Sequence, residues 1–134
     1  MRRFDDVFEG DEIDTASVFH AKDDVRAYAR ACSIFFPRFT DDEGARREGL
    51  PGMITPGNMS MGLIGSFLER WAGPASLRRL GTTFRGLLLP DRTIRICGVV
   101  TQRDDATRTV EVDVWIENED GERSVIGTAT LALA

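Results

Sequence analysis

Few side chains in this sequence have the chemistry of a general acid, base or nucleophile near neutral pH. His20 is the only histidine, and so the only side chain whose ordinary pKa lies near neutrality. It follows the apolar pair Val18-Phe19, which favours a surface or packing role over that of a base. Asp41 and Asp42 lie at a predicted helix start, where acidic residues stabilise the positive end of the helix dipole. A catalytic role for His20 or Asp41 is therefore the least favoured hypothesis.

Three other polar residue types could take part in chemistry. Cys32 and Cys97 form neither a disulfide framework nor a metal-ligand spacing, so no metal site is predicted and Cys32 is expected to be inert. Ser60 could face a ligand or hydrogen-bond to its own helix. Arg38 could meet an anionic ligand or a cofactor phosphate.

The first half of the chain contains one predicted strand and two predicted helices. The strand covers Glu12–Ala21, and a helix opened by Asp23-Asp24 runs from Val25 to about Cys32. Thr40 and Glu43, three residues apart, form a predicted capping box that begins the second, short helix.

An almost unbroken apolar segment follows at Met59–Trp71, with charges only at Glu69 and Arg70. It is too long for a typical strand, and a helix that is apolar nearly all round is a buried one. Gly62 and Gly65 lower its helix propensity, which indicates that something packs closely against that face.

The rest of the chain is predicted to form strands. Alternating apolar residues between Val110 and Ile116 indicate a half-buried antiparallel strand, and Glu119–Gly121 predicts a hairpin turn. The simplest way to bury the long helix is an antiparallel five-stranded sheet wrapped around it, an α+β hot-dog fold. The four predicted later strands are Leu80–Leu88, Thr93–Arg103, Thr107–Asn118 and Ser124–Leu133.

Composition narrows the classes of function. The 134 residues suit a single domain, 1–134. The net charge of −5 and the absence of a basic cluster argue against nucleic acid and anionic membranes as partners. The start of the chain lacks a signal peptide and no apolar run reaches about 20 residues, so a cytoplasmic location is expected.

Several short motifs occur in an order and spacing typical of one family. They are Phe8–Asp11, Tyr28-Ala29, Pro51–Ile54, Gly57, Trp71–Pro74, Phe84-Arg85, Pro90 and Gly121-Glu122. Together they resemble the MaoC-like (R)-specific enoyl-thioester hydratases and dehydratases, over nearly the whole chain. The resemblance also implies the hot-dog fold.

The catalytic motif of that family is changed in this sequence. Pro37 and Ala45 match the motif and set its register, but its Asp falls on Ile34, its Asn on Phe36 and its His on Phe39. The Asp/His pair is understood to activate water and protonate the α-carbon, and neither Ile34 nor Phe39 can transfer a proton. An apolar site also tends to exclude water. Ordinary hydratase activity is therefore not expected, and no catalytic residue is assigned.

The resemblance implies that the backbone N–H of Gly57, at the start of the long helix, holds the carbonyl of a thioester. The alternative is that Pro56-Gly57-Asn58 is only a helix start, with Asn58 near the cap. The predicted ligand-binding residues are Ile34, Phe36, Phe39, Gly57, Asn58 and Ser60.

Three hypotheses follow. In the first, the chain binds an acyl-thioester or polyketide-like ligand in an apolar pocket, either silently or while templating a reaction such as cyclisation. In the second, it is the non-catalytic partner subunit of a heteromeric hydratase/dehydratase. In the third, it is an active enzyme with relocated catalytic residues.

No cofactor is expected, although CoA or acyl carrier protein could carry the substrate. The predicted assembly is a homodimer or a heterodimer with another hot-dog chain.

Overall fold

A computed structural model describes all residues, 1–134, and contains one antiparallel five-stranded sheet, as predicted. The strands are β1 (Glu12–His20), β2 (Leu77–Phe84), β3 (Arg92–Asp104), β4 (Thr109–Glu117) and β5 (Arg123–Ala132). The helices are α1 (Lys22–Ala31), α2 (Asp42–Arg47) and α3 (Gly57–Ala72), with single 3₁₀ turns at Phe4–Asp6 and Pro37–Phe39. The strand order is β1-β3-β4-β5-β2, so β1 and β2 are the edge strands.

One face of the sheet packs against α3 and forms the core. Side chains alternate between the two faces of a strand, and β4 follows this rule, because all four of its inward-facing residues are buried. Ile64 and Leu68, one turn apart on α3, are also fully buried in the same cluster. These inward-facing residues of β4 are Val110, Val112, Val114 and Ile116.

The central helix is buried on one side only. A Cβ at Gly62 would find no atom within 4 Å, and one at Gly65 would meet only Leu77 Cδ2, at 3.8 Å. Within this chain the predicted close packing on these glycines is absent, because the core face of the sheet lies on the opposite side of the helix. No helix of the protein combines the length and apolarity needed to cross a bilayer.

The cap of α2 differs from the prediction. The Asp41 carboxylate, not the Thr40 hydroxyl, accepts the hydrogen bond from the Gly44 N–H, at 2.9 Å. Thr40 is still part of the preceding 3₁₀ turn, because its own N–H donates to the Pro37 carbonyl. The predicted capping box is therefore wrong: the cap lies one residue later, and Gly44 at the third helical position has no side chain to complete the box.

The largest boundary error concerns the edge strand β2, which was predicted at Leu80–Leu88. It begins at Leu77 and ends at Phe84, where its pairing with β5 stops at Val125. Leu88 is buried outside the strand, and the Thr55 N–H donates to its carbonyl. The apolar residues 87–89 were therefore predicted as strand because Leu88 is buried, although they form a loop.

Candidate functional site

The residues just before α3 are tied to three separate parts of the chain. Three consecutive backbone N–H groups each donate to a different element, so this segment has little freedom to move. The bonds run from Met53 to the Asp42 carboxylate (2.9 Å), from Ile54 to the Arg38 carbonyl (2.9 Å) and from Thr55 to the Leu88 carbonyl (3.0 Å).

The first two backbone N–H groups of α3 have no partner within the chain. The Pro56 carbonyl accepts hydrogen bonds from the N–H groups of Met59 and Ser60. The N–H groups of Gly57 and Asn58 make no hydrogen bond. Free N–H groups are normal in the first turn of a helix, and with the helix dipole they favour a partially negative oxygen. Asn58 is exposed and does not cap the helix.

An aromatic ring covers Gly57. A Cβ at this position would lie 2.8 Å from Cζ of Phe84, the last residue of β2. Position 57 therefore has room for no side chain while the ring stays in place. Phe84 itself is 52% exposed, so this ring lies at the surface of the molecule. Sequence reasoning used Phe84 only as part of a family motif and missed this contact.

A hydrogen bond links the loop Ile34–Phe39, which contains the motif positions of the family's Asp and His, to the segment before α3. Ile34 and Phe39 are half-buried, and Phe36 is 63% exposed. The Phe36 and Phe39 rings meet edge to face, with centroids 6.5 Å apart. The hydrogen bond from the Ile54 N–H to the Arg38 carbonyl joins the turn that holds these two rings, Phe36–Phe39, to the segment before Gly57.

The remaining predicted ligand-binding residue is less accessible than expected. Ser60 is 2% exposed and lies on the buried side of α3, so its side chain does not face an open surface. None of the five main hollows of the molecule is lined by a predicted ligand-binding residue. The nearest, of about 210 Å³, adjoins Met53 and is polar, with Lys22 and Asp42 in its wall.

A buried polar pair lies under the start of α3. His20 Nε2 is 2.7 Å from the Thr55 hydroxyl, and the imidazole is only 3% exposed. Burial lowers the pKa of His20, and the negative charges of Asp24 and Asp91 oppose this effect. Of the two roles favoured for His20, packing is therefore the one that the structure supports. Thr55 was missed, because nothing in the sequence links it to a histidine 35 residues away.

The other polar candidates have structural partners. Asp41 caps α2 and Arg38 forms an ion pair with Glu48 at 2.8 Å, so this guanidinium already has an anionic partner. Cys32 is exposed, Cys97 is buried, and both thiols are free. No group of three His, Cys, Asp or Glu side chains is placed to hold a metal ion.

Asp42, weighed only as a helix-start acid, links three elements. Its carboxylate binds the Lys22 ammonium at 2.8 Å and accepts the Met53 N–H. These two hydrogen bonds lower the pKa of Asp42, so the carboxylate is charged at neutral pH. Its position is therefore explained by its contacts with α1 and the segment before α3.

Comparison with known proteins identifies the fold class. No protein-family model and no curated protein matches the chain. A solved MaoC-like dehydratase is 26% identical with a TM-score of 0.93, over 99% of this chain and 42% of that one. A chain of the ChsH1-ChsH2 complex from Mycobacterium tuberculosis is 20% identical (TM-score 0.87; 96% and 99% covered). The (R)-hydratase from A. caviae involved in PHA biosynthesis is 18% identical (TM-score 0.88; 96% and 98% covered).

These neighbours are MaoC-like dehydratases and (R)-hydratases, and this chain has their α+β hot-dog fold. The resemblance and the fold class predicted from the sequence are confirmed. This chain spans less than half the length of the MaoC-like dehydratase, so that protein's full activity does not transfer with the fold.

Proposed function

We propose that this chain is a hot-dog protein of the hydratase type that binds an acyl-thioester or polyketide-like ligand without the Asp/His pair for hydration. The observation that carries the proposal is the pair of free N–H groups at Gly57 and Asn58, in a chain whose preceding segment is hydrogen-bonded to the turn that holds the Phe36 and Phe39 rings. Two such donors suit a thioester carbonyl oxygen. The apolar rings of Phe36 and Phe39 suit an acyl chain.

The chemistry of such a site is limited to binding and polarisation. General acid–base catalysis contributes about 10²- to 10⁴-fold, and Ile34 and Phe39 cannot supply it. His20 is buried beneath the site with Thr55 as its partner, which disfavours its use as a relocated base. A reaction driven by the ligand itself, such as cyclisation, needs only the shape of the site and the two N–H donors of Gly57 and Asn58, which we call the carbonyl clamp.

Binding and hydration are tested separately. We expect the protein to bind a saturated butyryl thioester in calorimetry and to leave crotonyl-CoA and longer enoyl-CoA thioesters unhydrated, measured as constant enoyl absorbance. Turnover above about 1 s⁻¹, in the range of ordinary enzymes, would contradict the absence of an acid–base pair. No detectable binding of acyl thioesters of any chain length would contradict the proposed ligand class.

The contribution of the Gly57 N–H can be isolated with a matched pair of variants. Phe84→Ala removes the ring over Gly57, and Phe84→Ala/Gly57→Pro then removes one N–H donor without a clash. Proline suits the first position of a helix, and Pro56 has an extended backbone that tolerates a following proline. One neutral hydrogen bond is worth about 1 kcal/mol, so we expect about fivefold weaker binding in the double variant. Equal affinities would exclude Gly57 as a carbonyl donor.

A second candidate function is that of a non-catalytic subunit in a pair of hot-dog chains. Phe35 and Phe36 are 72% and 63% exposed, and the half-exposed Phe84 ends the edge strand β2. Exposed aromatic rings and an unpaired sheet edge are typical of interaction surfaces. The ChsH1-ChsH2 complex, a structural neighbour, is itself an assembly of two named chains.

Light scattering after size exclusion separates the assemblies. We expect this chain, co-expressed with a MaoC-like chain that has an intact Asp/His motif, to elute as one complex. Elution as two separate species would contradict the heteromer, and a dimer of this chain alone would support self-association instead. We also expect the protein to act in the cytoplasm.

A further inference from the structure

The segment Met53–Pro56, directly before α3, is held by four hydrogen bonds from four separate parts of the chain. Three involve its consecutive backbone N–H groups, and the fourth joins the Thr55 hydroxyl to His20 Nε2. Because Gly57 and Asn58 follow at once, the direction of their free N–H groups depends on this segment. His20 is the only side chain bound to it whose charge changes near neutral pH.

We propose that neutral His20 is a positioning residue, which holds the N–H groups of Gly57 and Asn58 in place through Thr55, and that protonation of His20 weakens ligand binding. The inference rests on the proposed function of the Gly57 site. With exposures of 3% and 8%, His20 and Thr55 lie beneath the site rather than in it, so they do not act on the ligand directly.

The charges around His20 do not neutralise an imidazolium. Asp24 on α1 and Asp91 in the turn before β3 attract it, but burial is the larger effect and lowers the pKa. Lys22 binds Asp91 at 3.7 Å and reduces that attraction, and Arg92 is opposite His20 in the β1–β3 ladder. A charged His20 is therefore more stable when the end of β1 opens to water.

The direction of the pH effect depends on how the pKa of His20 differs between the closed and the opened arrangement. In the closed arrangement the pKa of His20 is below its ordinary value of 6.5, and in an opened arrangement it returns to that value. The closed arrangement is therefore fully favoured above pH 6.5 and loses stability as the pH falls below it, because the open form then binds more protons. Ligand affinity should fall over the same range.

Three substitutions separate the hydrogen bond from the charge. His20→Gln keeps a polar nitrogen near the position of Nε2 and does not titrate. Thr55→Val keeps the shape of the side chain and removes the hydroxyl, whereas Thr55→Ser keeps the hydroxyl. The probe is S-butyryl-N-acetylcysteamine, a thioester without phosphates or other groups that titrate between pH 5 and 8. Gly62→Ala, on the exposed side of α3, is the control.

We expect the Kd of the wild-type protein for this probe to rise below pH 6.5, by at most tenfold per pH unit, as one proton is linked to binding. His20→Gln should bind the probe with a flat profile between pH 5 and pH 8. Thr55→Val should bind about fivefold more weakly at pH 8, equivalent to about 1 kcal/mol, and Thr55→Ser should match the wild type. A His20→Gln profile as steep as that of the wild type would overturn the proposal.

Hydrogen exchange tests the positioning role without any ligand. After correction for the intrinsic pH dependence of exchange, the backbone N–H groups of Met53, Ile54 and Thr55 should lose protection below pH 6.5 in the wild type. They should keep it in His20→Gln and lose it at every pH in Thr55→Val. Equal protection in all three proteins would overturn the positioning role. Failure of the probe to bind, with this pattern present, would contradict only the proposed ligand class.

Discussion

Placing an acid–base pair at Ile34 and Phe39 is the most direct test of the proposal that this chain does not catalyse hydration. The double variant Ile34→Asp/Phe39→His places a carboxylate and an imidazole at the two motif positions, both only half-buried in this structure. If the N–H groups of Gly57 and Asn58 bind a thioester carbonyl, then proton transfer is the only contribution to hydration that this chain lacks. We expect hydration of crotonyl-CoA to appear at a low rate, at least 10²-fold above that of either single variant, since each proton-transfer group contributes about 10²- to 10⁴-fold.

The stability cost of this double variant can be estimated from the contacts. Phe39 loses its edge-to-face contact with Phe36, worth about 1 kcal/mol. Ile34 loses the burial of roughly half a side chain, about another 1 kcal/mol. A loss of about 2 kcal/mol corresponds to a fall in Tm of roughly 5 to 10 °C for a chain of this size, which leaves a folded protein for assay at 25 °C.

The assay follows the loss of enoyl absorbance at pH 7.5, with Ile34→Asn/Phe39→His as the matched control. Asparagine has the size of aspartate but is not a base, so this control should remain inactive. A folded Ile34→Asp/Phe39→His protein with no activity above the control would refute the reasoning, because it would mean that the carbonyl clamp is also missing.

Four further predictions concern stability. Ile64→Ala should lower the free energy of unfolding by about 2–5 kcal/mol, since this side chain is fully buried between α3 and the sheet. Gly62→Ala, on the solvent side of the same helix, should raise it by up to about 1 kcal/mol. Asp41→Ala should cost about 1 kcal/mol through loss of the α2 cap on the Gly44 N–H. Below pH 6.5, unfolding by urea should become easier by at most about 1.4 kcal/mol per pH unit because the pKa of His20 is lowered by burial; His20→Gln should remove this contribution.

Periodicity made most of the fold predictable from the sequence. The alternation in β4 and the long apolar run of α3 identify a buried sheet face and the helix against it, and the structure contains both. The end of β2 and the exposed side of α3 could not be predicted in the same way. Both depend on which surfaces meet in space: Leu88 is buried by a loop contact, while the sheet covers only one side of the helix.

The candidate site was only partly predictable, for a similar reason. The sequence pointed to Gly57 and to the apolar motif positions, because they lie in local motifs. The hydrogen bond between His20 and Thr55 joins residues 35 positions apart, and the Phe84 ring reaches Gly57 from the edge strand. Contacts of this kind are set by strand order and register, which no local pattern contains.

The ligand and the partner proposals predict a common result, because the carbonyl clamp and the exposed rings lie on connected parts of the chain. In the free chain, the half-exposed Phe84 ring lies over the half-buried Gly57. A second chain packed on Phe35 and Phe36 would remove water near the clamp, and hydrogen bonds to a carbonyl strengthen when water is excluded. We therefore expect tighter thioester binding in a complex than in this chain alone. Phe36→Ser should remove both the complex and the gain in affinity; equal affinity with and without the partner would show that the two surfaces act independently.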